Sequence, residues 1–318
     1  MVELALSKGE RVVVTLRKPA DVETLQAKYS PSQLLVVRLD VTNPGEILST
    51  FREAKRAFGR VDVVFNNAGM GLFGEVEGTP EATARNIFET NFWGAANVSR
   101  EAVRFFREEN PQGVGGRLLT VSSYAGTAPL PGAGYYSASK AGEPEYLHDA
   151  PSNIARISLT RGDWPALEAI NQALEGEIDP KWNIKARRAS FCIPDSFFSP
   201  AHQVSLILLG VVRTPIIYKA EELPLARGYE DPTSPASIGR KLLRATKEST
   251  GQSGDVFKTA AKLYEFSTTS NPPLRFVIGL DSISVVGGYL DRLREEMETF
   301  KSWSRDLKEE RAALGPKL

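Results

Sequence analysis

One cysteine, Cys192, and two histidines, His148 and His202, are all that 318 residues supply of those types. A lone cysteine excludes an internal disulfide, and two histidines offer little to a metal ion. Net charge is lacking too: Lys+Arg and Asp+Glu each number 39, so no overall field draws the chain to nucleic acid or to an anionic membrane. Long hydrophobic runs are missing as well. The longest, Val204 to Leu209 continuing to Ile217, is broken by Arg213 and reads as a buried strand rather than a membrane span. The first turns carry Glu3, Lys8, Glu10 and Arg11, unlike the apolar centre of a signal peptide, so a cytoplasmic location is expected.

What is present is the composition of a soluble globular protein, 42% hydrophobic and 25% charged. Strand-like runs rich in Val, Leu and Ile cover residues 11–16, 34–39, 61–66, 117–122, 204–209 and 274–278. Helical patterns lie between them, among them 44–58, which Gly59 ends, and a long one over 80–108. Continuous apolar strands alternating with helices predict an α/β fold, a doubly wound parallel sheet buried on both faces. Near the C-terminus Leu290, Leu293, Met297, Phe300 and Leu307 form an apolar stripe on a charged helix of about 288–313, read as packing on the body. No repeat or long linker divides the chain, so residues 1–318 are expected to form a single Rossmann-like domain.

The chemistry concentrates in Tyr136-Ser137-Ala138-Ser139-Lys140. Residues four apart on a helix share a face, so Tyr136 and Lys140 point into one cleft. A free tyrosine titrates near pH 10 and is a poor base at neutrality; an ammonium roughly 4 Å away, at an effective dielectric near 20, contributes on the order of 4 kcal/mol, up to about 3 pH units. That predicts a phenol working close to neutral pH. Ser123 ends the strand at 117–122, where its hydroxyl would bond a substrate oxygen while the tyrosine transfers a proton. The pair alone is weak; joined to the serine offset and to the turn Asn66-Asn67-Ala68-Gly69 it is specific.

With Leu39-Asp40-Val41, Asn66-Asn67-Ala68-Gly69, Asn91 within Thr90-Asn91-Phe92-Trp93-Gly94, Ser122-Ser123, Tyr136-x-x-x-Lys140 and Leu209-Gly210-x-x-x-Thr214, the chain resembles the short-chain dehydrogenase/reductase family of NAD(P)-dependent oxidoreductases over nearly its whole length. The resemblance implies a catalytic tetrad of Asn91, Ser123, Tyr136 and Lys140, with Lys140 also on the nicotinamide ribose. It implies Asp40 and Asn67 along the adenosine half, and Val212 and Thr214 near the carboxamide. Arg17, at the end of the family's second strand where an acidic residue would take the ribose hydroxyls of NAD, suits a 2′-phosphate and favours NADP(H) over NAD. The reaction implied is hydride transfer between NADP(H) and a carbonyl or secondary alcohol, with an apolar substrate in a pocket drawing on Leu72, Phe73, Pro129, Leu130 and the segment after Thr214. The helices 88–108 and around Tyr136 would pair two copies in a homo-oligomer.

Three departures stand against the family pattern. Its opening strand and Gly-x-x-x-Gly-x-Gly turn, which receive the pyrophosphate, have no counterpart, since residues 2–9 look like the end of the first helix. A strand expected between 11–16 and 61–66 is therefore lacking, leaving two inner edges unpaired. Two stretches, 142–165 and 186–203, interrupt the pattern as insertions; the second separates Asn183-Ile184-Lys185 from 204–209, pieces the family joins by a short turn. Translated intron sequence and a start codon placed too far downstream would explain all three. The alternative origin is a real paralogue with elaborated surface loops, and the alternative to an enzyme is a catalytically inactive relative, a damaged gene product or one that acts by binding.

Overall fold

The computed structural model describes residues 1–141, 184–185, 204–248, 254–270, 272–273 and 275–304. The stretches 142–165 and 186–203, with Cys192 and both histidines, lie outside the described residues. In chain order the first elements are α1 (Val2–Ser7), β1 (Val12–Leu16), α2 (Glu23–Gln26), β2 (Leu34–Arg38), α3 (Pro44–Phe58), β3 (Val63–Asn66) and β4 (Leu72–Phe73). Then come α4 (Glu81–Phe88), a π-helical turn (Glu89–Gly94), α5 (Ala95–Glu108), β5 (Gly116–Val121), α6 (Tyr124–Thr127), α7 (Gly134–Lys140) and β6 (Ile184–Lys185). They are followed by β7 (Val204–Leu209), α8 (Pro215–Lys219), β8 (Glu221–Glu222), α9 (Pro235–Glu248), α10 (Val256–Thr268), β9 (Arg275–Ile278) and α11 (Leu280–Phe300).

All described ladders are parallel. The main sheet runs β3-β5-β7-β9, with β6 also on β5. Its centre is buried on both faces: Leu118, Leu119 and Ile207 have no exposed surface, and Leu206 and Leu208 are buried beside them. Each such side chain contributes roughly 1.5–3 kcal/mol by leaving water. One face is closed by α3 and α5, where Ile47, Phe51, Ala102, Phe105 and Phe106 pack over Leu118. The other is closed by α10, whose Leu263 and Phe266 meet Leu119, Val121 and Ile207, with Met1 of the N-terminal segment joining them. Local signals set these helices: Asn43 Oδ1 accepts from the amides of Gly45 and Glu46, capping α3, and Gly59 at φ 79° ends it.

The Rossmann-like α/β architecture is the expected one, but the sheet is divided. β1 and β2 form a separate two-stranded sheet, and among the described residues no ladder joins β1 to β3. The edges show it. β1 is only partly buried along its length and Val63, opening β3, is 43% exposed.

Two expectations are corrected. Ile184–Lys185 and Val204–Leu209 are not joined as strand, turn and strand; they lie end to end on β5, with Arg117 opposite Lys185 and Leu118 opposite Val204. The backbone ladder continues as though 186–203 were absent from it. The C-terminal helix begins at Leu280, just after β9, rather than near 288. Its buried residues are Ser282 and Val286; of the apolar stripe, Leu290, Met297 and Phe300 are exposed, Leu293 is half-buried and Leu307 lies outside the described residues.

Candidate active site

The carboxyl ends of β3, β5 and β7 open on one side of the sheet, and the loops that follow carry most of the residues singled out above. Ser123 follows β5 and caps α6, its Oγ accepting from Ala125 N at 3.2 Å. Tyr136 and Lys140 stand one turn apart on α7, which ends at Lys140. Asn91 sits in the π-helical turn, a local widening that often marks functional positions, and is fully buried.

Hydrogen bonds draw the four together. Asn91 Nδ2 donates to Ser139 Oγ and to Met70 O, both at 2.9 Å, while Met70 N donates to Asn91 Oδ1 at 2.8 Å. Ser139 Oγ donates to Tyr136 O at 2.8 Å. Lys140 Nζ donates to Val121 O at 3.1 Å, and Ser122 Oγ to Lys140 O at 3.3 Å. A side chain on Gly69 would place its Cβ 3.2 Å from Asn91 Oδ1 and 3.3 Å from Lys140 Nζ. The bare glycine therefore lets a carboxamide and an ammonium approach its backbone closely.

The titration of this cluster differs from the sequence expectation. Burial raises the Tyr136 phenol above its ordinary value, and a hydrogen bond with Ser123 pulls only partly the other way. Burial lowers Lys140 to about 8. The ammonium spends a hydrogen bond on Val121 O, Lys140 is buried and Tyr136 half-buried, and desolvation outweighs the charge effect predicted for the pair. Tyr124 alongside is pushed up to about 12 by burial, with Asp281 and Tyr136 adding to it.

Other predicted residues fall into further groups. Asn67 is exposed beyond β3, and Val212, buried, and Thr214 follow β7. Phe73, Ala133 and Ala220 form a buried apolar cluster on which Leu130 and Tyr136 pack, whereas Leu72 is buried and Pro129 exposed. Arg17 and Asp40 belong to the separate β1-β2 sheet. Arg17 is exposed; Asp40 Oδ1 accepts from Thr42 N and Thr42 Oγ1 at 3.0 and 2.7 Å, bonds that hold its carboxyl below the usual range with help from Arg17 and Arg38. No described hydrogen bond joins these two to the Tyr136 cluster. Sequence reasoning passed over Ser139, the link between Asn91 and Tyr136; its signal was its place three residues after the tyrosine, on the same helix face.

A parallel α/β sheet with a tyrosine, lysine, serine and asparagine gathered at its carboxyl edge is the frame of a nucleotide-dependent oxidoreductase. The family model for short chain dehydrogenases matches residues 1–156. An uncharacterized oxidoreductase of Schizosaccharomyces pombe is 29% identical over 301 residues, 94% of this chain and 84% of the relative. A solved short-chain dehydrogenase from Streptomyces avermitilis superposes with a TM-score of 0.71 at 25% identity, covering 96% of this chain and 93% of that one. A short chain dehydrogenase/reductase from Burkholderia phymatum in complex with NAD shares the fold, with a TM-score of 0.62 at 20% identity, covering 94% and 89%. These matches support a member of the short-chain dehydrogenase/reductase family. Among the described residues no helix is long and apolar enough to cross a membrane, and no cluster of His, Cys, Asp and Glu could hold a metal.

Proposed function

We propose that the chain reduces an apolar carbonyl compound, or oxidises the matching secondary alcohol, using NADP(H). The observation that supports this best is the hydrogen bond between Tyr136 and Ser123 beside the buried Lys140 and Asn91, whose side-chain atoms both lie close to the Gly69 backbone. The nicotinamide supplies the hydride that the protein lacks. Lys140 and Tyr136 would hold its ribose, Val212 and Thr214 its carboxamide, Asn67 and Asp40 the adenosine side, and Arg17 a 2′-phosphate.

The protein's own part is proton handling. Tyr136 donates the phenolic proton to the substrate oxygen as the carbonyl carbon takes the hydride, giving an alcohol, and solvent then returns a proton to the phenolate. Ser123 Oγ bonds the same oxygen and orients it. The raised phenol keeps that proton at neutral pH, which suits reduction. Phe73, Leu130 and Ala220 line the apolar side of Tyr136, which suits a substrate with an apolar body.

A second reading, binding without turnover, draws on two observations: Lys140 Nζ is engaged by Val121 O, and the described residues offer no glycine-rich turn between β1 and β3 for a pyrophosphate. Titrating the purified chain with NADPH and NADH, then assaying a panel of apolar ketones, separates the two. Saturable NADPH binding with Tyr136-dependent turnover is expected. A soluble, folded chain that binds neither cofactor favours the second reading, and an NADH preference contradicts the cofactor assignment.

A further inference from the structure

Three chain segments, 70–79, 130–133 and 220–226, meet beside Tyr136, and one buried ion pair touches all of them. Arg240 of α9 donates through Nε to Glu75 Oε1 at 2.5 Å and through one terminal nitrogen to Glu75 Oε2 at 2.6 Å. The same guanidinium donates to Leu223 O at 2.7 Å and to Pro224 O at 3.1 Å. Ala226 N completes the carboxylate's partners at 3.4 Å. The two side chains are 6% and 3% exposed.

Around the pair the backbones lie too close for side chains. A Cβ on Gly71 would come within 2.8 Å of Ala220, one on Gly74 within 2.8 Å of Leu223, and one on Gly78 within 2.5 Å of Ala226. The short parallel ladder of β4 with β8 adds Glu221 N to Gly71 O at 3.1 Å and Leu223 N to Phe73 O at 2.8 Å. Gly74 N donates to Gly132 O at 2.8 Å, and Gly132 in turn lies against the Arg240 stem. Phe73 and Ala220, at the near end of this seam, are the side chains on which Tyr136 packs.

A buried ion pair is a poor source of net stability, because desolvating two charges offsets most of their attraction; apolar residues of similar volume would hold the seam as firmly. What a fork bound at four oxygens does supply is register, since a slip of one residue along 220–226 would leave charges and carbonyls unpaired in a dry site. We propose that Glu75 and Arg240 are a positioning pair that fixes the register of 220–226 against 71–78 and thereby sets the shape of the apolar wall beside Tyr136, selecting substrates by size. The selection rests on the reading of Tyr136 as the proton-handling group; the register does not.

The test is the double substitution Glu75→Leu with Arg240→Met, which keeps volume and removes the fork, together with Arg240→Lys, which keeps the charge but not the fork. Hydrogen exchange of the 221–226 amides in the ligand-free protein is expected to quicken at least about tenfold in both, while the amides of β5 do not change. In steady-state assays KM for the preferred ketone rises about tenfold, kcat stays within about twofold, and the discrimination against bulkier ketones shrinks. If the double variant does not fold, the lysine variant carries the exchange measurement. Unchanged exchange in a folded variant overturns the latch. Quickened exchange with unchanged size selectivity overturns its role in selection, and an inactive parent chain counts against the reading of Tyr136 while exchange still decides the register.

Discussion

Lys185 and Val204 pair with the consecutive residues Arg117 and Leu118 of β5. Neighbouring positions on one side of a parallel ladder are about one residue rise apart, the spacing of a peptide bond between them. Joining Lys185 directly to Val204 would therefore give one unbroken strand. Removing 186–203 is expected to leave the chain folded and to raise its stability by about 1–2 kcal/mol, because pairing Lys185 and Val204 side by side on β5 then costs no closure entropy for the residues between them. Urea unfolding of the two chains measures this, and an insoluble or less stable product would refute it.

Tyr136→Phe removes the proton donor and leaves the ring's packing on Phe73 and Ala220 intact. Turnover is expected to fall about a hundred- to ten-thousandfold, with NADPH affinity changed only a few-fold. The phenol's upward shift gives the pH dependence its sign. Reduction, which needs the protonated phenol, holds level through neutrality and declines in the alkaline range, while oxidation climbs there. A kcat profile for reduction falling through about pH 7 would contradict the raised value.

Lys140 makes stability depend on pH. Its folded value near 8 lies below the ordinary 10.5, so between those two values the unfolded chain holds a proton that the folded chain has lost, and stability rises with pH. Tyr124, at about 12, and Tyr136 act in the other sense, since above pH 10 the unfolded chain loses phenolic protons that the folded chain keeps. These groups together place a maximum near about pH 10. Lys140→Met should flatten the rising arm and add up to about 3 kcal/mol near neutrality. Urea midpoints measured at intervals across the alkaline range decide it; a flat curve for the parent chain would rule out the lowered lysine.

Arg17, exposed at the end of β1, is the residue that would distinguish the phosphorylated cofactor. Arg17→Ala is expected to weaken NADPH binding by roughly tenfold or more and to leave NADH binding nearly unchanged, since only the former carries the phosphate. Equal losses for both cofactors would mean that Arg17 acts on the sheet rather than on the phosphate.

The principal strands were legible because their runs are mostly apolar: 204–209, interrupted only by Ser205, appears in the structure with the limits read from the sequence, and 34–39 differs by one residue. The nearness of Tyr136, Lys140 and Ser123 was legible because their spacing is local, the first two on one helix and Ser123 just past the preceding strand. What escaped notice was non-local. The two-residue ladder between β4 and β8 has no pattern of its own, and Glu75 meets Arg240 across 165 positions. The direction of the Tyr136 shift was misread for a related reason: charge proximity follows from i and i+4, but burial depends on packing against Phe73, Leu130 and Ala220.

The division of the sheet has a consequence for how the molecule comes apart. Backbone bonds hold β1 to β2 and hold β3 to its neighbours, but the described ties between the two groups run through the flanking helices, α1 on β1 and α10, α3 on β2 and α5, with side-chain bonds of Arg11 to Phe58 O and of Tyr264 to Glu10. Ties of that kind can yield without disturbing the ladders on either side. The first forty residues are therefore expected to form their own cooperative unit, exchanging amide protons through a partial opening while β5 and β7 wait for global unfolding. Heating or denaturant should melt this protein in two steps, the N-terminal pair first.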